Sequence, residues 1–414
     1  MWIFTLNRRW LLSFLVLLGW AEWAAAAGLP HAKPQEVGFS PERLQRISDT
    51  MQRWVEEERY AGITVAVVRR GRLAYFESFG NQDREAGTPM RADSIFRFYS
   101  MTKPITSTAA MILLEEGRFL LRDPVSDFIP GMENVRVLSS ENSDGLETVA
   151  LENPMTIRHL LTHTSGLSNS KAYEAENIFD MDSTLEQLAK KLPTVPLANQ
   201  PGAAWRYAAS TDVLGRVIEV ASGMTLDTYF EERIFRPLGM KDTAFWVPQK
   251  KIDRLATAYQ LAEGGGLEVW PQSRFDGRKQ PFLTGGGGLY STADDYLQFC
   301  QMLLNGGELD GVRVLSPRTV ELMMINHVPE DVLPPNGPNG RKGYGFGLGA
   351  AVLMDVARSE QLASEGEFSW GGKAGTYFWI DRKEQLIGLF LVQRPFVHRT
   401  GNLVKTLVYQ ALVD

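Results

Sequence analysis

The chain has 414 residues, a formal net charge of −6, 44% apolar residues and 22% charged residues. That length exceeds one small domain, and the proportions are those of a soluble globular protein. An acidic balance with no basic stripe interleaved with aromatics excludes nucleic acid as an expected partner.

Residues 1–27 read as an export signal. Arg8 and Arg9 precede an apolar run from Trp10 to Gly19, and the small residues Ala25 to Ala27 offer a cleavage site. The run is short for a bilayer span, and Glu22 interrupts its continuation. The expected location is therefore periplasmic or secreted, with membrane contact only through this segment if it stays uncleaved. Cys300 is the single cysteine, so no intramolecular disulfide forms and no lipid-bearing cysteine stands near the cleavage region. It lies in the helical pattern DDYLQFCQMLL and reads as a small buried apolar residue.

After the signal, apolar residues at Leu44, Ile47, Met51, Trp54 and Val55 predict a helix from Pro41 to Glu58. The stretch ITVAVVRRGRLAYFESFG predicts a β-hairpin turning at Arg70 and Gly71. A second helix follows Ser100: Ile105, Ala109, Ile112 and Leu113 recur at helical spacing, Pro104 falls in the first turn, and Gly117 suits a C-terminal cap. Residues 125–280 carry short helices, frequent Pro and Gly, and few strand-like runs. Beyond Gly285 come a helix from Thr292 to Leu304, a strand pair near Tyr344 to Met354, and two strands, Thr376 to Asp381 and Leu386 to Gln393. Arg382 to Gln385 form the turn between those two strands, and a helix closes the chain. Strands at both ends with helices between predict an α+β fold, not a doubly wound nucleotide fold. Its antiparallel sheet is built from the N- and C-terminal segments, residues 28–124 and 281–414, and a mainly helical domain, 125–280, is inserted between them.

The chemistry concentrates at Ser100, Met101, Thr102 and Lys103. A serine hydroxyl is a weak nucleophile until a base takes its proton, and a lysine three residues on lies on the same helix face. Burial that disfavours the charged amine would let Lys103 serve as that base. The helix N-terminus adds unpaired N–H groups and a positive dipole end, where an oxyanion would form. On spacing alone, a helix-capping serine beside a solvated lysine is an equal reading. A second match, Ser168 to Lys171, sits in the loop-like HTSGLSNSKAY and reads as chance. No Gly-x-Ser-x-Gly elbow is present. His159 and His163 have zinc-compatible spacing but lack the glutamate of His-Glu-x-x-His, so both read as structural residues near a helix end. The glycines 285–288 lack the Lys-Ser/Thr of a phosphate loop and read as close backbone packing; Asp294 and Asp295 read as helix-start residues. No metal or cofactor is expected.

Several local texts stand with SMTK: DPVSDFIPG, TIRHLLTHTSGL, PGAAWRYAASTDVLGRVIEVASG, GGGGLYSTADDYLQFCQMLLNGG and WGGKAGTYFWIDRKE. Together they resemble the serine β-lactamase and penicillin-binding-protein superfamily, nearest its class C β-lactamase-like esterases, over residues 35–410. The resemblance implies Ser100 as nucleophile and Lys103 as its base partner. It implies Tyr207, from a Tyr-x-Asn loop reading Tyr-Ala-Ala here, as the proton relay. It also implies a substrate-binding strand at Trp370, Gly371 and Gly372, and an oxyanion hole from the backbone N–H groups of Ser100 and Lys373. Ala209 replaces the asparagine that holds a lactam's amide side chain, and Trp370 replaces a carboxylate-binding lysine. The expectation is a carboxylesterase acting through an acyl-enzyme on small esters. The alternatives are a β-lactamase or a D-alanyl peptidase or amidase using the same site, and a catalytically silent binding module. The last would require a lost nucleophile or base, and Ser100, Lys103 and Tyr207 are all present.

Overall fold

The computed structural model describes residues 28–142, 145–168, 178, 180–271, 276–395 and 400–414. The export-signal reading of residues 1–27 and the Lys171 of the second Ser-x-x-Lys lie outside them.

Helix α1 (Pro41–Glu56) starts at Ser40, whose hydroxyl accepts the Arg43 N–H, with Pro41 in the first turn. It stops two residues short of the expected Glu58, which takes a left-handed φ of 54° that ends the helical path. Strands β1 (Gly62–Arg69) and β2 (Arg72–Asp83) join through Arg70 and Gly71. Both turn residues have positive φ, 53° and 72°, as a two-residue hairpin loop requires. The short β3 (Thr88–Pro89) and β4 (Phe96–Arg97) follow, then α2 (Thr102–Glu115), buried from Thr102 to Leu113. A helix buried on every side belongs at the centre of a molecule, and α2 lies there although it carries Thr102, Lys103, Thr106, Ser107 and Thr108. Next come α3 (Ser210–Ser222), β5 (Tyr290–Ser291) and α4 (Ala293–Leu304). Thr292 caps α4 by accepting the Asp295 N–H, and Cys300 is buried within that helix. The chain closes with β6 (Tyr344–Phe346), β7 (Ala351–Leu353), β8 (Phe368–Gly371), β9 (Tyr377–Asp381), β10 (Leu386–Leu391) and α5 (Thr400–Tyr409).

Eight strands form one antiparallel sheet in the order β6-β7-β8-β9-β10-β1-β2-β3. The two ends of the chain meet at β1 and β10, where Val65 faces Phe390 and Val67 faces Gly388. Alternation along β1 divides the core. Val65 and Val67 pack with Trp54 of α1 and Val404 of α5 on one face, while Ala66 and Val68 join the larger core containing α2 and α4 on the other. The fold is therefore the expected α+β arrangement.

The expectation of few strands between 125 and 280 needs correction. Val137–Asn142 pairs with Gly145–Val149, and Tyr259–Leu261 pairs with Leu267–Val269. Each hairpin splits its apolar residues: Val137 and Tyr259 are buried, while Val149, Leu261 and Val269 are exposed. With so little of either face buried, neither carries the period-two pattern that makes a strand legible.

One small pairing positions the site. β4 runs antiparallel to β5, and the Phe98 N–H donates to the Leu289 carbonyl at 2.9 Å. The start of α2 is thereby laid against the glycine segment 285–288.

Candidate active site

Tyr99, the residue before Ser100, has φ 45°, a left-handed conformation that a bulky side chain rarely adopts. Such a residue costs about 1–3 kcal/mol unless its surroundings enforce it. Here its ring is buried and stacks on Trp270, with ring centres 6.2 Å apart. The chain turns sharply out of β4, so Ser100 stands at the mouth of α2 and lines a cleft of about 370 Å³.

Lys103 lies one turn further on. Its Nζ is 3.3 Å from Ser100 Oγ and donates to the Gly286 carbonyl at 2.6 Å. The side chain is only 4% exposed, and among the described residues it has no ion-pair partner. The Gly286 carbonyl is itself braced: Asp212, in the first turn of α3, accepts from the Gly286 N–H at 3.0 Å and from the Thr284 hydroxyl. A Cβ on Gly285 would stand 2.8 Å from the Thr211 carbonyl, and one on Gly286 would stand 3.0 Å from Asp212. Close packing is thus what these glycines provide, and its product is a fixed acceptor for the lysine.

Tyr207 reaches the same cleft from the helical segment. Lys103 Nζ lies 4.6 Å from the centre of its ring, and Tyr207 Oη accepts the indole N–H of Trp370 at 3.2 Å. Among the hydrogen bonds of the described residues, none joins Tyr207 directly to Ser100. Behind the phenol lies His163, whose ring centre is 4.7 Å away, with Trp205 and Phe346 also against the imidazole. Neither ring nitrogen of His163 has a partner among the described residues. Burial, and secondarily the Lys103 charge, push its proton affinity well below the ordinary histidine range. It packs as a neutral ring. His159 is structural in another way: its Nδ1 accepts the Thr156 N–H in a capping box at the start of a short helix.

The strand side is Trp370, Gly371, Gly372 and Lys373, all lining the cleft. The resemblance makes Gly371 and Gly372 part of a substrate-binding strand. At Gly372 the close neighbour is the protein itself, since a Cβ there would lie 2.3 Å from both the Phe98 carbonyl and Thr376 Oγ1. Gly372 thus lets the end of β8 approach the turn bearing Ser100. Trp370 also carries the polar bond to Tyr207. Ala209 is buried at the start of α3, where the neighbouring Ser210 hydroxyl bonds Ser165 instead, at 2.8 Å. No side-chain amide stands at Ala209.

Sequence reasoning missed Asp212, Arg341 and Tyr377. Asp212 had a signal: it follows Tyr207 by five positions and opens a helix. A carboxylate there is explained by the helix dipole alone, and its true partner lies 74 residues away. Among the described residues no group of acidic, histidine or cysteine side chains is arranged to hold a metal.

An antiparallel sheet covered by helices on both faces, with a serine–lysine pair at the mouth of the central helix, defines a β-lactamase/transpeptidase-like hydrolase. The chain belongs to the beta-lactamase family, whose profile matches residues 47–412. It is 36% identical to Protein Rv1367c of Mycobacterium tuberculosis over 351 residues, covering 80% of this chain and 86% of that protein. It is 30% identical to Esterase EstB of Burkholderia gladioli over 386 residues, covering 86% and 92%. Among solved structures it resembles EstCE1, a hydrolase with promiscuous acyltransferase activity, at a TM-score of 0.77 and 30% identity, over 89% of this chain and 99% of that one.

Proposed function

We propose that this enzyme is a serine carboxylesterase that acts on small esters through an acyl-enzyme at Ser100. The observation that carries the proposal is the placement of Lys103 Nζ 3.3 Å from Ser100 Oγ, in a cleft that Tyr207 and Trp370 also line. The Lys103 amine takes the hydroxyl proton as Ser100 attacks the ester carbonyl. The backbone N–H groups of Ser100 and Lys373 receive the oxyanion, a role worth about 3–4 kcal/mol per donor. Tyr207, its oxygen held by the Trp370 indole, passes the proton to the leaving alcohol and then helps water, or a second alcohol, release the acyl group. In this reading the 125–280 segment is the lobe that brings Tyr207 to the nucleophile. The names of EstB and EstCE1 support ester chemistry, and the missing amide at Ala209 favours esters over lactams and D-alanyl peptides. We also propose that residues 1–27 direct export to the periplasm or medium.

A fluorophosphonate should label Ser100 in the wild-type enzyme. Short-chain p-nitrophenyl esters should be turned over faster than a chromogenic cephalosporin or D-alanyl peptides. Ser100→Ala should abolish labelling and lower turnover at least about a thousandfold. A Ser100→Ala enzyme keeping more than a few per cent of its activity sinks the mechanism, and lactam turnover well above ester turnover reverses the substrate order.

A further inference from the structure

The cleft beside Ser100 holds positive charge, and no carboxylate stands among its described lining residues. Arg341 lines it, half-buried, on the segment leading into β6. One terminal nitrogen donates to the Ser369 carbonyl at 3.2 Å; the other donates to the Ser369 hydroxyl at 2.8 Å and the Tyr377 hydroxyl at 3.2 Å. Its guanidinium carbon lies 3.9 Å from the Tyr344 ring centre. These contacts fix the fork in place.

The nearest buried carboxylate is already taken. Glu367, wholly buried, accepts from Lys405 Nζ with both oxygens, at 2.9 and 2.7 Å, and also from the Ser369 and Tyr344 hydroxyls. Lys405 is buried as deeply, so Glu367 neutralises that lysine and Arg341 remains in surplus. No carboxylate lies within ion-pair distance of Arg341 among the described residues. The exposed Lys373, 5.5 Å from the Trp270 ring centre, adds a second cation to the cleft wall, and none of the described residues lining the cleft is acidic. A charge withdrawn from water calls for an opposite charge, and a ligand entering the cleft could bring it.

We propose that Arg341 reads an anionic group on the substrate, so that the preferred ester carries a carboxylate on the part of the molecule that extends along the cleft from Ser100 toward Tyr377. This rests on the serine-esterase reading above and adds the charge class of the ester.

Two pairs of esters test it, with Ser100→Ala as the blank. The p-nitrophenyl monoester of glutaric acid is compared with p-nitrophenyl 5-oxohexanoate, which puts the charge in the acyl part. Then 4-acetoxybenzoate is compared with 4-acetoxyacetophenone, which puts it in the alcohol part. In at least one pair the wild-type enzyme should favour the anionic ester in kcat/KM by about tenfold or more, a value set below that of a fully buried charge pair because Arg341 is half-exposed. Arg341→Gln should bring that ratio toward one, and Arg341→Lys, which keeps the charge but not the fork, should retain part of it. A wild-type ratio at or below one in both pairs overturns the inference, as does a ratio that survives Arg341→Gln. Should Arg341→Gln fail to fold, the wild-type ratios decide, together with competitive inhibition by glutarate, which is expected, and whose absence counts against the anion site. Equal turnover of charged and neutral esters that disappears in Ser100→Ala refutes the anion site alone. Absence of fluorophosphonate labelling at Ser100 refutes the esterase reading beneath it.

Discussion

The indole N–H is the one polar group that Trp370 owns, and it is donated to Tyr207 Oη rather than to water. A phenol oxygen that gives up a proton during the reaction becomes a stronger acceptor, so this bond tightens as charge develops. Hydrogen bonds to charged groups are worth about 1.5–3 kcal/mol. Trp370→Phe keeps an aromatic wall and removes only the donor. It should lower kcat on a p-nitrophenyl ester by roughly tenfold to a hundredfold, from that same energy, with KM little changed. Steady-state kinetics separates the two parameters. A rise in KM with kcat intact would mean that the ring only shapes the pocket. Helical spacing made the serine–lysine pair a candidate, and the surrounding family texts chose it over a capping serine beside a solvated lysine. The bond between residues 207 and 370 was not legible, since 163 positions separate them and neither residue type announces the contact. The resemblance placed both residues in the site, but only the fold supplies the bond.

Two elements cooperate on Lys103 without touching the substrate cleft directly. Helix α3 supplies Asp212, the glycine turn supplies the Gly286 carbonyl, and their hydrogen bond fixes where that carbonyl points. Asp212→Ala leaves the Gly286 N–H and the Thr284 hydroxyl without their acceptor, a loss of about 1–3 kcal/mol for each buried group left unpaired. The carbonyl that seats Lys103 is then free to drift. We expect the rate of fluorophosphonate labelling at Ser100 and kcat to fall together by about tenfold or more, as misplacement of a positioned group does. Asp212→Asn retains a carbonyl oxygen in place and should restore most of both. Equal losses in the two variants would assign Asp212 a charge effect, not a bracing one. Elements with a strong core-facing pattern were readable from the sequence: α1, the β1–β2 hairpin with its Arg70-Gly71 turn, α4, β9 and β10. The hairpins at 137–149 and 259–269 were not, because they turn apolar side chains such as Leu261 toward solvent. The glycines at 285–288 were legible as tight packing, yet the helix they pack against was not.

At the scale of the whole molecule, one buried histidine and two half-buried ones sit in or beside the helical segment, and each has its proton affinity lowered. Burial is the main cause at His159, His163 and His327; nearby Arg158 adds to it at His159 and His327, and Lys103 at His163. A histidine that resists protonation when folded but accepts a proton near pH 6.5 when unfolded contributes stability that is present above that pH and lost as pH falls below it. Asp295 works in the opposite direction. Burial raises it to about 6, so protonation relieves the folded state between that value and the unfolded one near 3.8. The two effects overlap in acid, and a single melting curve cannot divide them. A variant can. His163→Phe puts a neutral ring of similar size among Trp205, Tyr207 and Phe346, where the imidazole makes no hydrogen bond to the described residues. Between pH 7.5 and 5.5 the wild-type protein should lose about 1.4 kcal/mol relative to this variant, the linkage for one proton bound only by the unfolded chain across its titration. Denaturant titrations of both proteins at the two pH values measure that difference directly. Parallel behaviour would mean that the folded protein protonates His163, and the cluster of rings behind Tyr207 would then carry a charge that its packing gives no means to hold.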